Sequence, residues 1–247
     1  MLSRLVPDSV DGRALLDLWE RGLGRRGIVR GDLLLRAAGE EVATTYTVGE
    51  RNMKLAALHA RLFGPRVDLV SHCPSCGTAA QFSSDCGTLT ALPGSAGPGR
   101  LHRVEAEGYA IDFRLPTTAD VDEASQHDAE DAFATCLLER CIHTCARDGQ
   151  SIALQDVPER VLDAVSRRME ALDPAARLAF GVECPECATR WDAALDVDEV
   201  IWTKLQAAAE RLLLDVDMLA RTYGWTECDV LALSDVRRAA YLQLVTG

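Results

Sequence analysis

Aromatic residues are scarce, 5% of the chain's 247 residues, so aliphatic side chains and alanine must build most of any core. Basic residues are outnumbered, 26 against 38 acidic ones, for a net charge of −12. Binding to a nucleic-acid backbone draws its free energy from Lys and Arg displacing counterions, so this balance argues against nucleic acid as a partner. Long apolar runs are missing too. No stretch approaches the roughly 18–20 residues that a bilayer-crossing helix needs, and no membrane insertion is expected. The opening MLSRLVPDSVDGRALL has no apolar segment behind a basic start. It does not read as a secretory signal, and the cytoplasm is the expected compartment.

Catalytic signatures are also lacking. There is no G-x-S-x-G, no G-x-x-x-x-G-K-[ST], no H-E-x-x-H and no G-x-G-x-x-G beside a strand. His127 and His143 have no partner pattern and read as ordinary histidines of helical segments. Asp128, Glu130 and Asp131 sit at a helix start, where the dipole favours them. The chain is therefore expected not to be an enzyme. The basic cluster Arg21, Arg25, Arg26 and Arg30 reads as a solvated or partner-facing helix end.

What is present is an ordinary apolar share, 48%, and nine cysteines. In an unexported chain these argue against a disulfide framework. Four stand in two pairs, Cys73-Pro-Ser-Cys76 and Cys184-Pro-Glu-Cys187. Each C-x-x-C presents two thiolates from one tight turn, and two such turns complete the tetrahedral sulfur set that zinc prefers. Cys73, Cys76, Cys184 and Cys187 are thus the candidate ligands of one structural Zn2+. The long gap between the pairs is no obstacle if an inserted region brings its ends together, because loop entropy grows slowly with length.

Other readings of the cysteines are weaker. A thioredoxin-like redox pair sits where a strand meets a helix, whereas strands flank both pairs here. An iron–sulfur cluster would accept four thiolates, but nothing else points to electron transfer. Cys86 or His72 could complete a local site at the first pair. Catalytic zinc needs an open coordination position, which four thiolates do not leave. Cys136, Cys141, Cys145 and Cys228 read as small buried hydrophobes, Cys141 and Cys145 on one face of a helix over 129–146.

Periodicity alternates between 3.6 and two along the chain. Leu15, Leu18 and Gly22 mark a first helix with Asp11 as cap and Gly24 after its end. A short second helix covers Leu33 to Ala38, and Thr47 with Glu50 forms a capping box that opens a third. Val67, Leu69 and Ser71 alternate into the first knuckle, a loop rich in Gly, Pro and Ser spans 87–99, and Glu107-Gly108 reads as a hairpin turn. Thr117 to Asp120 begins a second helical block, which ends in a helix starting at Pro158 with Val161, Val165 and Met169 on one face. Leu178, Phe180 and Val182 alternate into the second knuckle, and Trp191, Ala193 and Leu195 leave it. From Val197 through Ile201, Leu205, Ala208, Leu212, Val216 and Leu219 to Tyr223 an apolar stripe at helical spacing predicts one long helix stopped by Gly224. The expected class is α+β, mainly helical, with a small β zinc-ribbon-like element built from the two separated knuckles. Five regions are expected to fold as one cooperative unit: 1–66 helical, 67–115 first knuckle and hairpin, 116–176 inserted helices, 177–196 second knuckle, and 197–247 helical.

Several stretches resemble a known family. The run Leu219-Ala-Arg-Thr-Tyr-Gly-Trp-Thr226, followed by Leu231 to Leu242, is similar to proteins of the T-even phage baseplate hub family. The N-terminal Leu-Leu-Asp-Leu-Trp-Glu-Arg-Gly-Leu-Gly helix and both Cys-Pro-x-Cys knuckles share that resemblance. It implies a structural or assembly protein of a contractile, phage-like injection system. Other baseplate or tail proteins would be its partners, and a bacterial cytoplasm or a phage-tail-like particle its location. A zinc-ribbon adaptor in transcription or RNA handling is the alternative, and the acidic balance counts against it.

Overall fold

The computed structural model describes residues 11–25, 27–42, 45–87, 92, 94–97, 99–127 and 129–246. Arg26, Asp128, much of the 87–99 loop and the first ten residues, where a secretory signal would begin, lie outside the described residues. The chain divides into two compact units, one of residues 1–41, 58–67 and 196–247, the other of 42–57 and 68–195.

The first unit is helical. Helices α1 (Gly12–Gly22), α2 (Gly27–Ala37) and α7 (Val197–Tyr223) contribute its core, with short α8 (Glu227–Leu231) and α9 (Asp235–Thr246) at the C-terminal end. Asp11 caps α1 by accepting from the Arg13 N–H. On α7 the predicted stripe is largely buried: Val197, Ile201, Leu205, Leu212, Val216 and Leu219, joined by Trp202 and Ala209. Gly224 adopts the left-handed stop, φ 70°. Gly22 is there for a close approach, since a Cβ would stand 2.1 Å from the Trp202 ring. In the arginine cluster Arg21 and Arg25 are exposed, but Arg30 departs from the solvated or partner-facing reading. Arg30 is 7% exposed, lies over the Trp202 ring at 4.8 Å, and pairs with Glu199. A desolvated guanidinium is tolerated where it has both an aromatic face and a carboxylate.

In the second unit, α3 (Val48–Phe63, of which 58–63 belong to the first unit) opens with the expected capping box. The Thr47 N–H donates to Glu50 Oε2 at 2.9 Å and the Glu50 N–H to Thr47 Oγ1 at 3.2 Å. Strands β1 (Arg66–His72) and β2 (Ala79–Asp85) form one two-stranded ribbon. β3 (His102–Ala106), β4 (Tyr109–Phe113), β5 (Ile142–Arg147) and β6 (Gln150–Ser151) form an antiparallel sheet in that order. Helices α4 (Thr118–Ala124) and α5 (Glu130–Cys141) lie between β4 and β5, and α6 (Glu159–Leu172) follows β6. Val161 and Val165 of α6 join Tyr109, Ile111, Phe113 and Cys145 in one buried cluster. β7 (Ala179–Glu183) and β8 (Arg190–Ala194) make the last ribbon. The architecture is α+β, mainly helical with small antiparallel sheets.

One helix is mispredicted in extent. The helix predicted over 129–146 stops at Cys141, and Ile142–Arg147 is a strand paired with β4. β-branched Ile142 and Thr144 fit a ladder better than a helix, and burial of Cys145 beside Ile111 rewards the extended form. Asp148 and Gly149, at φ 48° and 79°, then close the β5–β6 turn. Cys141 and Cys145 therefore share no helix face, His143 lies on a strand, and His127 lies in the turn after α4.

Between β4 and α5 sits a buried carboxylate. Asp120, 2% exposed, takes Arg114 in a fork at 2.6 and 2.9 Å and Arg140 Nε at 3.0 Å. It also accepts from Thr117 N–H and Oγ1, completing the cap of α4. Burial pushes its acidity towards the neutral form, but the Arg114 guanidinium and Thr117 outweigh that and hold the carboxyl far below the usual range.

Candidate metal centre

The two knuckles are built from the same bonds. The Cys73 N–H donates to Thr78 O at 2.9 Å and the Gly77 N–H to Cys73 O at 2.9 Å. The Cys184 N–H donates to Thr189 O at 2.9 Å and the Ala188 N–H to Cys184 O at 3.0 Å. Pro74 and Pro185 pre-set φ at the first turn position, and the residue after the second cysteine is left-handed in both, φ 75° at Gly77 and 56° at Ala188. A tight turn closed this way turns both thiols to one side.

Hairpin packing then brings the turns together. Ala80 of β2, Val182 of β7 and Ala193 of β8 form a small buried cluster, flanked by Phe82 and Trp191. The Phe82 and Phe180 rings meet edge-on at 6.2 Å, and the Trp191 indole N–H donates to Ser71 Oγ at 3.0 Å. As a result Cys73 Sγ lies 3.6 Å from Cys187 Sγ and Cys76 Sγ 3.5 Å from Cys184 Sγ. All four sulfurs fall within 4.8 Å of one another. Zinc–sulfur bonds of about 2.3 Å imply tetrahedral edges of about 3.8 Å, so the observed separations fit a shared cation. Disulfides need about 2.05 Å, and all nine cysteines are unbridged. The donor set fits a soft, thiophilic metal, and it is the only such group of three or more candidate ligands among the described residues. Cys86 and His72 are not members of it.

Proton chemistry follows the same contacts. The Thr189 hydroxyl, 3.2 Å from Cys187 Sγ, draws that thiol down to about 6. Thr78 Oγ1, 3.4 Å from Cys76 Sγ, lowers Cys76 in the same way. Cys184 is pushed up to about 11: the Cys187 backbone N–H pulls it down, but burial and the adjacent Cys76 and Cys187 thiols outweigh it. Crowded sulfurs cannot all ionise without a positive charge among them, and a bound metal ion would supply that charge.

The family model described as T4 bacteriophage base plate protein matches residues 32–195, more than half of the 247. The chain belongs to that family. No curated protein and no solved structure matches. Both knuckles lie inside the matched span, while α7, α8 and α9 lie beyond it. The family is one of structural parts of the phage tail.

Of the remaining cysteines, Cys86, Cys141 and Cys145 are buried as packing, whereas Cys228 is exposed and does not meet the expectation of a buried hydrophobe. Burial pushes Cys141 up to about 12 and raises Cys145, which makes both poor nucleophiles. Cys86 is buried, Cys136 half-buried and Cys228 exposed. Among the described residues no helix is long and apolar enough to cross a membrane.

Proposed function

We propose that this member of the base plate family is a non-enzymatic part of the hub of a contractile, phage-like tail, and that Cys73, Cys76, Cys184 and Cys187 hold one structural zinc ion. The observation that carries the metal assignment is the closure of two knuckles into one four-sulfur group with tetrahedral edges. Zinc supplies a closed coordination shell there and joins two hairpins more than a hundred residues apart. The paired turns orient the sulfurs, Thr78 and Thr189 support the thiolates, and the aromatic packing beneath holds the two ribbons together.

The hub assignment rests on the resemblance of the Leu219 to Thr226 run and the first helix to hub proteins. Family membership supports it at the level of the baseplate. Its partners are other baseplate or tail proteins, and its final place is the assembled particle. The transcription or RNA-handling reading lacks the excess of basic charge it needs.

Two measurements test this. Elemental analysis of purified protein should give one zinc per chain, and metal-free protein with nine freely titrating thiols would overturn the metal assignment. Deleting the gene should leave tubes, sheaths or hub parts unassembled in electron micrographs, with the protein found in wild-type particles by mass spectrometry. Intact, functional particles in normal number from the deletion strain would overturn the baseplate role.

A further inference from the structure

In the first unit, the end of α3 and one face of α7 border a groove of about 450 Å3 with an apolar floor. Leu62 and Phe63 come from α3, and Leu205, Ala208 and Leu212 from α7. Its two ends differ. At one, Arg238 donates to Asp235 Oδ1 at 2.6 Å and lies 3.4 Å from Asp215, so its charge is matched. Towards the other, an adjoining pocket that shares Leu62, Phe63, Ala208 and Arg211 with it adds Arg61 and Lys204, and among the described residues no carboxylate lines this second pocket.

Lys204 is the informative residue. Its Nζ donates to His59 Nε2 at 2.9 Å and sits 5.0 Å from the Phe63 ring centre. His59 is fully buried, and burial together with Lys204 lowers it to about 4, so the imidazole is neutral and brings no counter-charge. Among the described residues Lys204 forms no ion pair. Arg211 spends its Nε on Ala207 O, and Arg61 reaches Glu40 at only 3.8 Å. A cation beside a helix C-terminus is favourable in itself, which accounts for one charge near the end of α3. It does not account for three, nor for an ammonium turned to a histidine side chain rather than to the last carbonyls of α3.

We propose that this groove docks a segment of another protein that combines apolar side chains with a carboxylate, the carboxylate pairing with Lys204 and Arg211. Charge complementarity selects the carboxylate: in a chain of net charge −12, Arg61 meets Glu40 and Arg211 acts on Asp215, so Lys204, turned to a neutral imidazole instead, is an exception with a direction. The apolar floor selects side chains over a phosphodiester backbone, which would leave Phe63 and Ala208 uncovered. Lys204 and Arg211 belong to α7, outside the matched 32–195, and the inference depends neither on the metal nor on which particle the chain enters.

The test is selection of a random displayed peptide library on the purified full-length chain, followed by fluorescence anisotropy of the winners. Selected peptides should carry Asp or Glu near Leu, Ile, Phe or Met and bind Lys204→Met about tenfold more weakly than the unchanged chain. Changing the peptide acid to its amide should cost a similar factor on the unchanged chain and little on Lys204→Met. Arg211→Gln, at an exposed position, should weaken binding without touching the buried His59 contact, and it keeps the test valid if Lys204→Met melts early. Failure to select any peptide, winners without acids, binding indifferent to both substitutions, or displacement by a single-stranded DNA oligonucleotide would each overturn the proposal.

Discussion

The two knuckles share their backbone bonds and differ in one place that matters, the left-handed residue. Gly77 occupies it in the first and Ala188 in the second. An L side chain in that conformation costs roughly 1–2 kcal/mol relative to glycine, so the second turn carries strain that the first does not. Outside the turns the support differs as well. The β7–β8 ribbon has a cross-strand ion pair, Arg190 Nε to Glu183 Oε2 at 2.7 Å. The β1–β2 ribbon has Ser83 Oγ donating to Asp68 Oδ1 at 2.6 Å. Exposed pairs of this kind contribute little. The lesson is that a strained turn persists where something outside it holds it, and an ion bound by the four sulfurs would be the strongest such tether.

The largest expected effect would break the comparison. If one ion joins the knuckles, Cys73→Ser and Cys184→Ser should be equivalent despite lying on different hairpins. Each should lose the bound zinc and the cooperative unfolding transition. Chelation should raise hydrogen exchange at Val70 and Val182 in parallel. A variant that keeps its zinc, or exchange rising at one knuckle alone, would show separate sites.

A contrast with the metal-independent staple comes next. Asp120→Asn should destabilise by about 3 kcal/mol, the lower end of the range for opening a buried ion pair, since Arg114 and Arg140 keep 21% and 34% of their side chains exposed. Chelation should leave this difference unchanged. The folded Asp120 acidity is depressed, so its contribution is complete above the unfolded carboxyl value of about 3.9. It is lost only as pH falls below that value toward the folded one. Urea titrations of both proteins from neutral to strongly acid pH should converge only at the acid end.

A smaller effect ranks the knuckles. Thr189 stands 3.2 Å from its thiol and Thr78 stands 3.4 Å from its own. Replacing either by Val should weaken metal binding by roughly tenfold, with Thr189→Val the worse, as read by competition with a chelator. Equal retention of metal by both would remove the hydroxyls from the site.

The smallest prediction concerns the strain itself and has opposite signs at equivalent positions. Ala188→Gly should stabilise by about 0.5–1 kcal/mol and Gly77→Ala should destabilise by about 1 kcal/mol or more, the former reduced by the entropy glycine adds to the unfolded chain. Thermal melts of the zinc-loaded proteins would measure both. The same sign at both positions would mean the left-handed geometry is not what distinguishes the turns.

Much of the helical framework is legible in the order of the residues. The α7 stripe, the Thr47–Glu50 box and the Thr117–Asp120 cap are patterns written within a few residues, and the helices they announce are present. The strand at Ile142 is not legible in this way, because its ladder partner, Tyr109–Phe113, is supplied from across two helices. Two β-branched residues ahead of Asp148-Gly149 are the one local signal for it. Arg30 has the pattern of a surface charge because Trp202 and Glu199, which enclose it, lie far away along the chain. Asp120 is recognisable as a cap, but the convergence of Arg114 and Arg140 on it is not. The Lys204 end of the groove leaves no sequence signal at all.

By itself, then, the sequence determined the chemistry of each part. Cysteine, proline and a left-handed position within six residues make a thiolate turn, and an apolar residue every third or fourth position makes an amphipathic helix, because those outcomes depend on neighbours along the chain. Tertiary structure alone decided which sulfurs meet: Cys73 with Cys187 and Cys76 with Cys184, 114 and 108 residues apart. That choice depends on Ala80, Val182, Ala193 and the Trp191–Ser71 bond burying one ribbon against the other. Contacts between distant segments follow from packing, which no local pattern encodes.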